Sequence, residues 1–160
     1  MRQFFDTNVL VCSQDPREPR KREIARALIG EAIGADAFVL GTQVLVEFYA
    51  ACVRRKLLGP SDALSLVRLW SEHDTVSQTP ELIVRGLMLH QAHSISMWDA
   101  LVVQAALDAR CDVLLSEDLQ HGRRFGDLEI RNPFAGSGAH ERAAAPYRGR
   151  RSRKAAVRAR

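Results

Sequence analysis

Four acidic residues stand in surroundings that are too apolar for ordinary surface carboxylates. They are Asp6, Glu47, Asp99 and Asp118. Asp6 directly follows an apolar stretch that ends in Phe4-Phe5, and Asp118 follows Val113-Leu114-Leu115 at a distance of three residues. A buried carboxylate costs on the order of several kcal/mol unless something compensates it. Ligands of open parallel sheets bind outside the carboxyl ends of the strands, so we expect Asp6 and Asp118 to lie together.

The other two acids sit inside predicted helices. At 100° per residue Asp99 shares a face with Val102, Val103 and Ala106, which is the face expected to be buried. It also lies in the first turn of its helix, where the helix dipole favours a negative charge. Glu47 lies at the shoulder of the apolar stripe of its own helix.

Each acid also has a purely structural interpretation, and the sequence leaves these alternatives open. Asp6 begins an Asp-Thr-Asn run that suits a helix cap or an Asx turn. Ser96 and Asp99 have the spacing of a capping box. Glu47 is compatible with an ordinary boundary glutamate, and Asp118 with a loop acid.

Four carboxylates brought together would repel one another and raise one another's pKa values. A hard divalent cation relieves that repulsion, and Mg²⁺ and Mn²⁺ prefer oxygen ligands. Such an ion can activate a water molecule and stabilise the oxygens of a phosphodiester during displacement. The predicted chemistry is therefore metal-dependent hydrolysis with water as the nucleophile.

The elements that position these acids alternate between strand and helix. Short apolar runs predict strands over 2–5, 37–40, 74–77, 112–115 and 128–130, and helical spacing predicts helices over 20–33, 42–55, 61–72, 80–92 and 97–110. Thr42 and Ser61 are predicted to cap the second and third helices, and Pro80 suits the first turn of the fourth. The alternation predicts an α/β fold with a mainly parallel sheet.

The net charge of +4 is unevenly distributed along the 160 residues. Residues 141–160 hold eight of the 23 Lys and Arg residues and one of the 19 Asp and Glu residues. The preceding 140 residues therefore hold 15 basic and 18 acidic side chains, a net charge of −3 against +7 at the end. The high isoelectric point belongs to this C-terminal segment, so it is weak evidence that the body of the protein binds nucleic acid.

Several classes of protein are disfavoured. No apolar run approaches the roughly 18 residues of a membrane span, and the N-terminus lacks a secretory signal, which predicts a cytoplasmic protein. Cys12, Cys52 and Cys111 are scattered and predict neither a disulfide framework nor a zinc knuckle. Neither of the common glycine-rich phosphate-binding motifs occurs in the chain.

At the acidic residues the sequence resembles the PIN-domain family, and most closely the compact bacterial ribonucleases that act as toxins in VapBC toxin–antitoxin pairs. The motifs that carry the resemblance are Phe5-Asp6-Thr7-Asn8, Glu47, Trp98-Asp99-Ala100 and Leu115-Ser116-Glu117-Asp118-Leu119. Each is weak alone, but their order and spacing agree with the α/β pattern. The resemblance covers residues 1–134 and implies a central parallel sheet of order 3-2-1-4-5 with helices on both faces.

The resemblance implies a Mg²⁺- or Mn²⁺-dependent endoribonuclease that a tightly bound antitoxin neutralises and that forms homodimers. It assigns Asp6, Glu47, Asp99 and Asp118 to an acidic metal-binding quartet, with Asp6 and Asp99 as the principal ligands. Asn8 and Ser116 would be polar residues behind the ligands that orient the carboxylates and water. The net charge of −3 outside the tail suggests that the antitoxin inserts a basic or aromatic segment into the acidic cleft.

Two further features bear on RNA binding. Arg123 and Arg124 follow the Asp118 loop and are candidates for an RNA-contacting rim. Residues 135–160 are rich in Ala, Gly and Arg, which predicts a basic, disordered tail beyond a domain of residues 1–134. An alternative function is therefore a catalytically weak scaffold that binds RNA or a protein, with the tail supplying salt-dependent affinity for RNA.

Overall fold

The structure, a computed structural model, describes residues 1–136. Its strands are β1 (Gln3–Phe5), β2 (Phe38–Gly41), β3 (Asp74–Val76), β4 (Val113–Leu115), β5 (Arg124–Phe125) and β6 (Leu128–Arg131). Its helices are α1 (Thr7–Cys12), α2 (Pro19–Gly34), α3 (Thr42–Arg54), α4 (Pro60–Trp70), α5 (Pro80–His93) and α6 (Met97–Asp108). The predicted tail lies outside the described residues except for Ala135 and Gly136, so its predicted disorder stays a prediction.

The strands form one sheet in the order β3-β2-β1-β4-β6-β5. The pairs from β3 to β6 are all parallel, and the β5–β6 pair alone among the described strands is antiparallel. The α/β prediction is confirmed. The five predicted strands follow the expected 3-2-1-4-5 order, because the last of them is β6.

The sheet is buried on both faces because its central strands are apolar at successive positions. Phe4 and Phe5 are adjacent in β1 and therefore point to opposite faces. The Phe5 ring lies 4.8 Å from that of Phe38, tilted by 52°, and Phe38 in turn packs against Trp70 of α4. Phe4 lines the opposite face together with Ala105 of α6. Helices therefore cover both faces.

Two elements were not predicted. Helix α1 follows Asp6 at once and has only six residues, which is too short for a helical period to be recognised. Strand β5 has two residues, too few to show alternation. The dipeptide Gly126-Asp127 joins it to β6, with Gly126 at a φ of +59°. This dipeptide is a hairpin-turn signal that the sequence does contain.

Two predicted caps are wrong. Helix α3 begins at Thr42 with Gly41 as its cap residue, and the Thr42 hydroxyl instead accepts a hydrogen bond from the Gln78 backbone at 3.0 Å. Helix α4 begins at Pro60, one residue before Ser61, because proline is well suited to the first helical position. Pro80 is in the first turn of α5, as predicted. Among the helices of residues 1–136, none is long and apolar enough to cross a membrane.

Candidate active site

The carboxyl ends of β1 and β4 bring the first and last of the four acids to one edge of the sheet. The two strands are parallel neighbours, and the Asp6 backbone N–H donates to the Leu115 carbonyl at 3.0 Å. Ser116, the first residue after β4, donates from its hydroxyl to Asp6 Oδ2 at 2.7 Å. Asp6 and Ser116 are both buried. Asp6 and Ser116 are thus brought together because the two apolar strands that precede them end side by side.

Asn8 connects this pair to Asp118. Its side-chain nitrogen lies 3.0 Å from Asp6 Oδ2 and 3.0 Å from Asp118 Oδ2. Its side-chain oxygen accepts a hydrogen bond from the Glu117 backbone N–H at 3.1 Å. One amide group therefore spans the two carboxylates that we expected to lie together, and Asn8 and Ser116 both contact Asp6 as the resemblance implied.

Glu47 reaches the same region through Thr7, a residue to which sequence reasoning assigned no role. The Thr7 hydroxyl donates to Glu47 Oε2 at 2.9 Å, and Gln43 of the same helix donates to Glu47 Oε1 at 2.9 Å. Helix α1 packs against α3, which puts Thr7 opposite Glu47. The position of a hydroxyl residue directly after Asp6 was visible in the sequence. Its pairing with Glu47 was not, because the two residues are 40 positions apart.

Asp99 approaches from the first turn of α6. This helix leads into β4, so it runs against the strands and its first turn lies towards their carboxyl ends. The Asp99 backbone N–H donates to the Ser96 hydroxyl at 3.1 Å, so Ser96 caps the helix. Val102, Val103 and Ala106 are buried as predicted, and Asp99 is half-buried at their end.

A helix-capping role for Asp6 or Asp99 is compatible with membership of the acidic cluster at the carboxyl edge of the sheet. The Asp6 side chain accepts a hydrogen bond from the Thr7 backbone at 2.7 Å and thereby caps α1, while its other oxygen faces Asn8 and Ser116. Asp6 is therefore both a cap and a member of the cluster. Asp99 lies in the first turn after the capping residue Ser96, and its negative charge contributes to raising the pKa of Asp6.

The electrostatics of Asp6 distinguish it from an ordinary capping residue. Burial raises the pKa of the Asp6 carboxyl to about 6. Hydrogen bonds from Ser116 and Thr7 act in the opposite direction, and the negative charges of Asp118 and Asp99 raise the pKa further. Within residues 1–136, no cationic side chain forms an ion pair with Asp6.

The donor set is made of oxygens and fits a hard cation such as Mg²⁺ or Mn²⁺. The positions of the carboxylates fit a metal ion less well than their chemistry does. In the described part of the chain, no three His, Cys, Asp or Glu side chains are grouped closely enough to hold a metal ion. Asp6 and Asp118 share the Asn8 amide, whereas the Glu47 carboxylate is held by Thr7 and Gln43. The hydrogen bond from Asp99 to Ser96 comes from the Asp99 backbone N–H. The four acids therefore share a neighbourhood without converging on one point.

The two arginines predicted for the rim are engaged in local contacts. Arg123 donates to the His93 carbonyl at 2.9 Å and lies 4.8 Å from the centre of the Phe125 ring. Arg124 donates to the Asp127 carbonyl at 3.1 Å, and its side chain is 58% exposed. Among the described residues neither forms an ion pair with the four acids. A role in RNA binding stays a prediction for both.

Comparison with known proteins identifies a family and solved structures of similar fold. A family model described as PIN domain matches residues 4–124. The crystal structure of Mycobacterium tuberculosis VapC20, a sarcin–ricin loop cleaving toxin, superimposes with a TM-score of 0.52. The match covers 70% of this chain and 86% of that chain at 18% sequence identity, which establishes a similar fold. A search of curated proteins found no match.

Proposed function

The chain belongs to the PIN domain family, as its motifs suggested, and we propose that it is a Mg²⁺- or Mn²⁺-dependent endoribonuclease that hydrolyses RNA phosphodiester bonds. The observation that carries the proposal is the environment of Asp6. This buried carboxylate has neutral hydrogen-bond donors, faces the charges of Asp118 and Asp99, and has a pKa raised to about 6. A divalent cation is the partner that would relieve this unfavourable environment.

In this proposal Asp6 and Asp99 are the principal metal ligands, and Glu47 and Asp118 complete the acidic set. The bound cation would supply positive charge to the phosphate oxygens and acidify the attacking water. Asn8 and Ser116 hold Asp6 and orient it, because each donates a hydrogen bond to its carboxylate. Thr7 and Gln43 do the same for Glu47.

We further propose that the protein is the toxin of a type II toxin–antitoxin pair and acts in the cytoplasm as a homodimer. The likeness in fold to VapC20, a sarcin–ricin loop cleaving toxin, makes structured RNA a reasonable first substrate to test. Arg124 is a better candidate than Arg123 for a phosphate contact, because its side chain is exposed whereas that of Arg123 is half-buried. An antitoxin segment with basic or aromatic side chains would suit the acidic cleft.

The metal site can be tested by titrating Mn²⁺ into the full-length protein in a calorimeter. We expect Asp99→Asn to weaken binding at least about tenfold, which corresponds to about 1.4 kcal/mol. Asp108→Asn is the matched control, since Asp108 ends the same helix and pairs with Arg85 instead. The same proteins are then incubated with total RNA and Mg²⁺ or Mn²⁺.

The outcomes separate the possibilities. Binding by the wild type that Asp99→Asn weakens and Asp108→Asn retains supports the metal site, and cleavage of RNA supports the nuclease. If RNA stays intact with either metal, and Asp6→Asn binds Mn²⁺ as the wild type does, the nuclease proposal is abandoned.

A second candidate function is an RNA-binding scaffold with little activity, and one observation favours it. The segment after Gly136 carries eight basic residues and one acidic residue. A segment of that charge could bind RNA phosphates.

Truncation after Gly136 tests the scaffold function. Each phosphate neutralised on single-stranded RNA contributes a slope of about −0.7 to the dependence of log affinity on log salt concentration. If all the basic residues of the tail bind phosphates, truncation should make the slope of log affinity against log salt concentration less steep by as much as about 5. The same RNA is used with full-length Asp6→Asn and truncated Asp6→Asn so that cleavage does not interfere. Unchanged affinity and slope would remove the tail from RNA binding.

A further inference from the structure

Glu117 is adjacent to Asp118 but points away from the other acids. Its carboxylate forms an ion pair with Lys21 in the first turn of α2, and its second oxygen lies 3.8 Å from Cys12 Sγ. Its backbone N–H points in the other direction and donates to Asn8 Oδ1 at 3.1 Å. Glu117 thus joins α2 to the amide that spans Asp6 and Asp118.

The ion pair is sheltered from solvent. The Lys21 side chain is 17% exposed and that of Glu117 is 31% exposed. The Lys21 ammonium also lies 5.4 Å from the centre of the buried Phe134 ring. Burying two charges costs desolvation free energy that their attraction only partly returns, so such a pair contributes little net stability. The effect of the ion pair on the position of Glu117 is more informative than its effect on stability.

That consequence concerns the orientation of the Asn8 amide. An amide has one accepting oxygen and one donating nitrogen. When the Glu117 N–H occupies the oxygen, the nitrogen faces the two carboxylates, at 3.0 Å from each. The reversed amide would turn its oxygen towards Asp6 and Asp118, where the interaction is repulsive. The position of the Glu117 backbone N–H therefore favours the orientation in which the Asn8 nitrogen, and not its oxygen, faces Asp6 and Asp118.

We propose, on the basis of the proposed function, that Lys21 and Glu117 are positioning residues that hold the Asp118 loop and the Asn8 amide in register with Asp6. Neither side chain forms a hydrogen bond to Asp6 or Asp118 among the described contacts. They act through the 116–118 loop, which follows β4 and contacts Asp6 through Ser116 and Asn8 through Glu117 and Asp118. The ion pair anchors that loop to α2.

The primary test is Mn²⁺ calorimetry on the full-length Lys21→Met variant. Loss of a residue that orients metal ligands typically costs about 10- to 100-fold in affinity or activity. We expect Mn²⁺ to bind at least about tenfold more weakly and kcat for RNA cleavage to fall by a similar factor, with KM for RNA little changed. Arg85→Met is the matched control, because Arg85 pairs with Asp108 between α5 and α6. It should retain wild-type Mn²⁺ affinity.

Glu117→Gln distinguishes positioning from direct binding of RNA by Lys21. If the pair positions the loop, Glu117→Gln and Lys21→Met weaken Mn²⁺ binding in the same direction. If Lys21 instead contacts RNA phosphate, Glu117→Gln releases the lysine and lowers KM, whereas Lys21→Met raises KM and leaves Mn²⁺ binding unchanged. That second pattern overturns the proposal.

Rescue experiments guard against a trivial loss of folding. Lys21→Arg keeps the charge and should retain Mn²⁺ affinity within a few-fold of the wild type. The double variant Lys21→Glu, Glu117→Lys restores the pair with exchanged charges, and we expect it to bind Mn²⁺ more tightly than either single variant. A double variant whose loss in binding free energy equals the sum of the two single losses would overturn the proposal, since no coupling would then exist.

The proposal and the function on which it depends fail in different ways. If the wild type neither binds Mn²⁺ nor cleaves RNA, the proposed function is wrong. If the wild type does both and Lys21→Met matches Arg85→Met in Mn²⁺ affinity and kcat, the positioning role alone is wrong.

Discussion

Two buried aspartates, nine residues apart, have opposite electrostatic environments. Asp6 stands before α1 and Asp15 follows it, and their exposed fractions are 8% and 3%. Asp15 receives hydrogen bonds from the Arg17 guanidinium at 2.7 and 2.8 Å and from Arg55 at 3.1 Å. The Arg17 hydrogen bonds lower the pKa of Asp15 to about 2. Burial raises the pKa of Asp6 to about 6.

The contrast separates a structural carboxylate from a candidate functional one. Asp15 has its counter-charges within the chain, and it ties the segment after α1 to the end of α3 through Arg55. Asp6 has polar donors but no counter-charge among the described residues, and the nearby acids Asp99 and Asp118 add to its cost. A buried anion without a counter-charge is unfavourable for folding, which is expected where a ligand supplies the missing charge.

The largest expected effect is on catalysis. Asp6→Asn preserves the side-chain shape but removes the charge that would bind the cation, so we expect RNA cleavage to fall about 1,000-fold, or about 4 kcal/mol in the activation barrier. Asp15→Asn should retain activity within a few-fold. The assay is cleavage of one labelled RNA at saturating Mn²⁺. Equal losses in both variants would remove the distinction between the two aspartates.

The next largest effect is on stability. Replacement by Asn should change the free energy of unfolding in opposite directions at Asp6 and Asp15. Asp6 has a higher pKa in the folded state than its usual 3.8, so its contribution to stability is fully present below pH 4 and is lost as the pH rises to about 6. Asp6→Asn should therefore stabilise the metal-free protein at pH 7.5 by up to about 3 kcal/mol. The amide nitrogen cannot accept the existing hydrogen bonds, which reduces the gain. Urea unfolding in EDTA measures it, and a net loss of stability would contradict the environment described for Asp6.

Asp15 should behave in the reverse manner. Its pKa is lowered, so its contribution to stability is present above about pH 4 and is lost as the pH falls towards 2. Asp15→Asn should cost about 1–2 kcal/mol at pH 7, a figure reduced for the solvent exposure of both arginines. Urea unfolding at pH 7 and pH 3 should show a difference in stability between variant and wild type that is about half as large at the lower pH.

The smallest expected effect sharpens the account of Asp6 itself. Ser116→Ala removes the hydroxyl that donates to Asp6 Oδ2 at 2.7 Å, and that bond favours the charged form. We expect the pKa of Asp6 to rise by about half a unit to one unit. Carboxyl ¹³C NMR titration of the metal-free protein measures the change. Ser13→Ala is the control, because Ser13 is also buried but donates to the Leu10 carbonyl.

Much of the fold was predictable because it depends on short-range patterns. The apolar runs that became β1 and β4 and the buried face of α6 could be recognised from the order of residues alone. The expected meeting of Asp6 and Asp118 followed from the rule that parallel strands present their carboxyl ends at one edge. Helix α1 and strand β5 were missed because six and two residues are too few to establish a period.

The contacts that give each acid its properties were not predictable in the same way. Thr7 meets Glu47 across 40 residues, and Lys21 meets Glu117 across 96. A lysine and a glutamate have many possible partners in a chain with 23 basic and 19 acidic residues. Their sequence positions carry no signal that selects one pairing over another.

Sequence alone therefore determined the α/β class, the strand ends and the residue types placed there, because hydrophobic burial acts on local periodicity. Arg17, a neighbour in sequence, supplies one counter-charge to Asp15, and tertiary structure supplies the second. Arg55 lies 40 residues from Asp15, and only the packing of α1 and α3 brings that guanidinium to its carboxylate and leaves Asp6 facing Asp118 and Asp99. Coulomb energies depend on distance and burial, and both are properties of the folded chain.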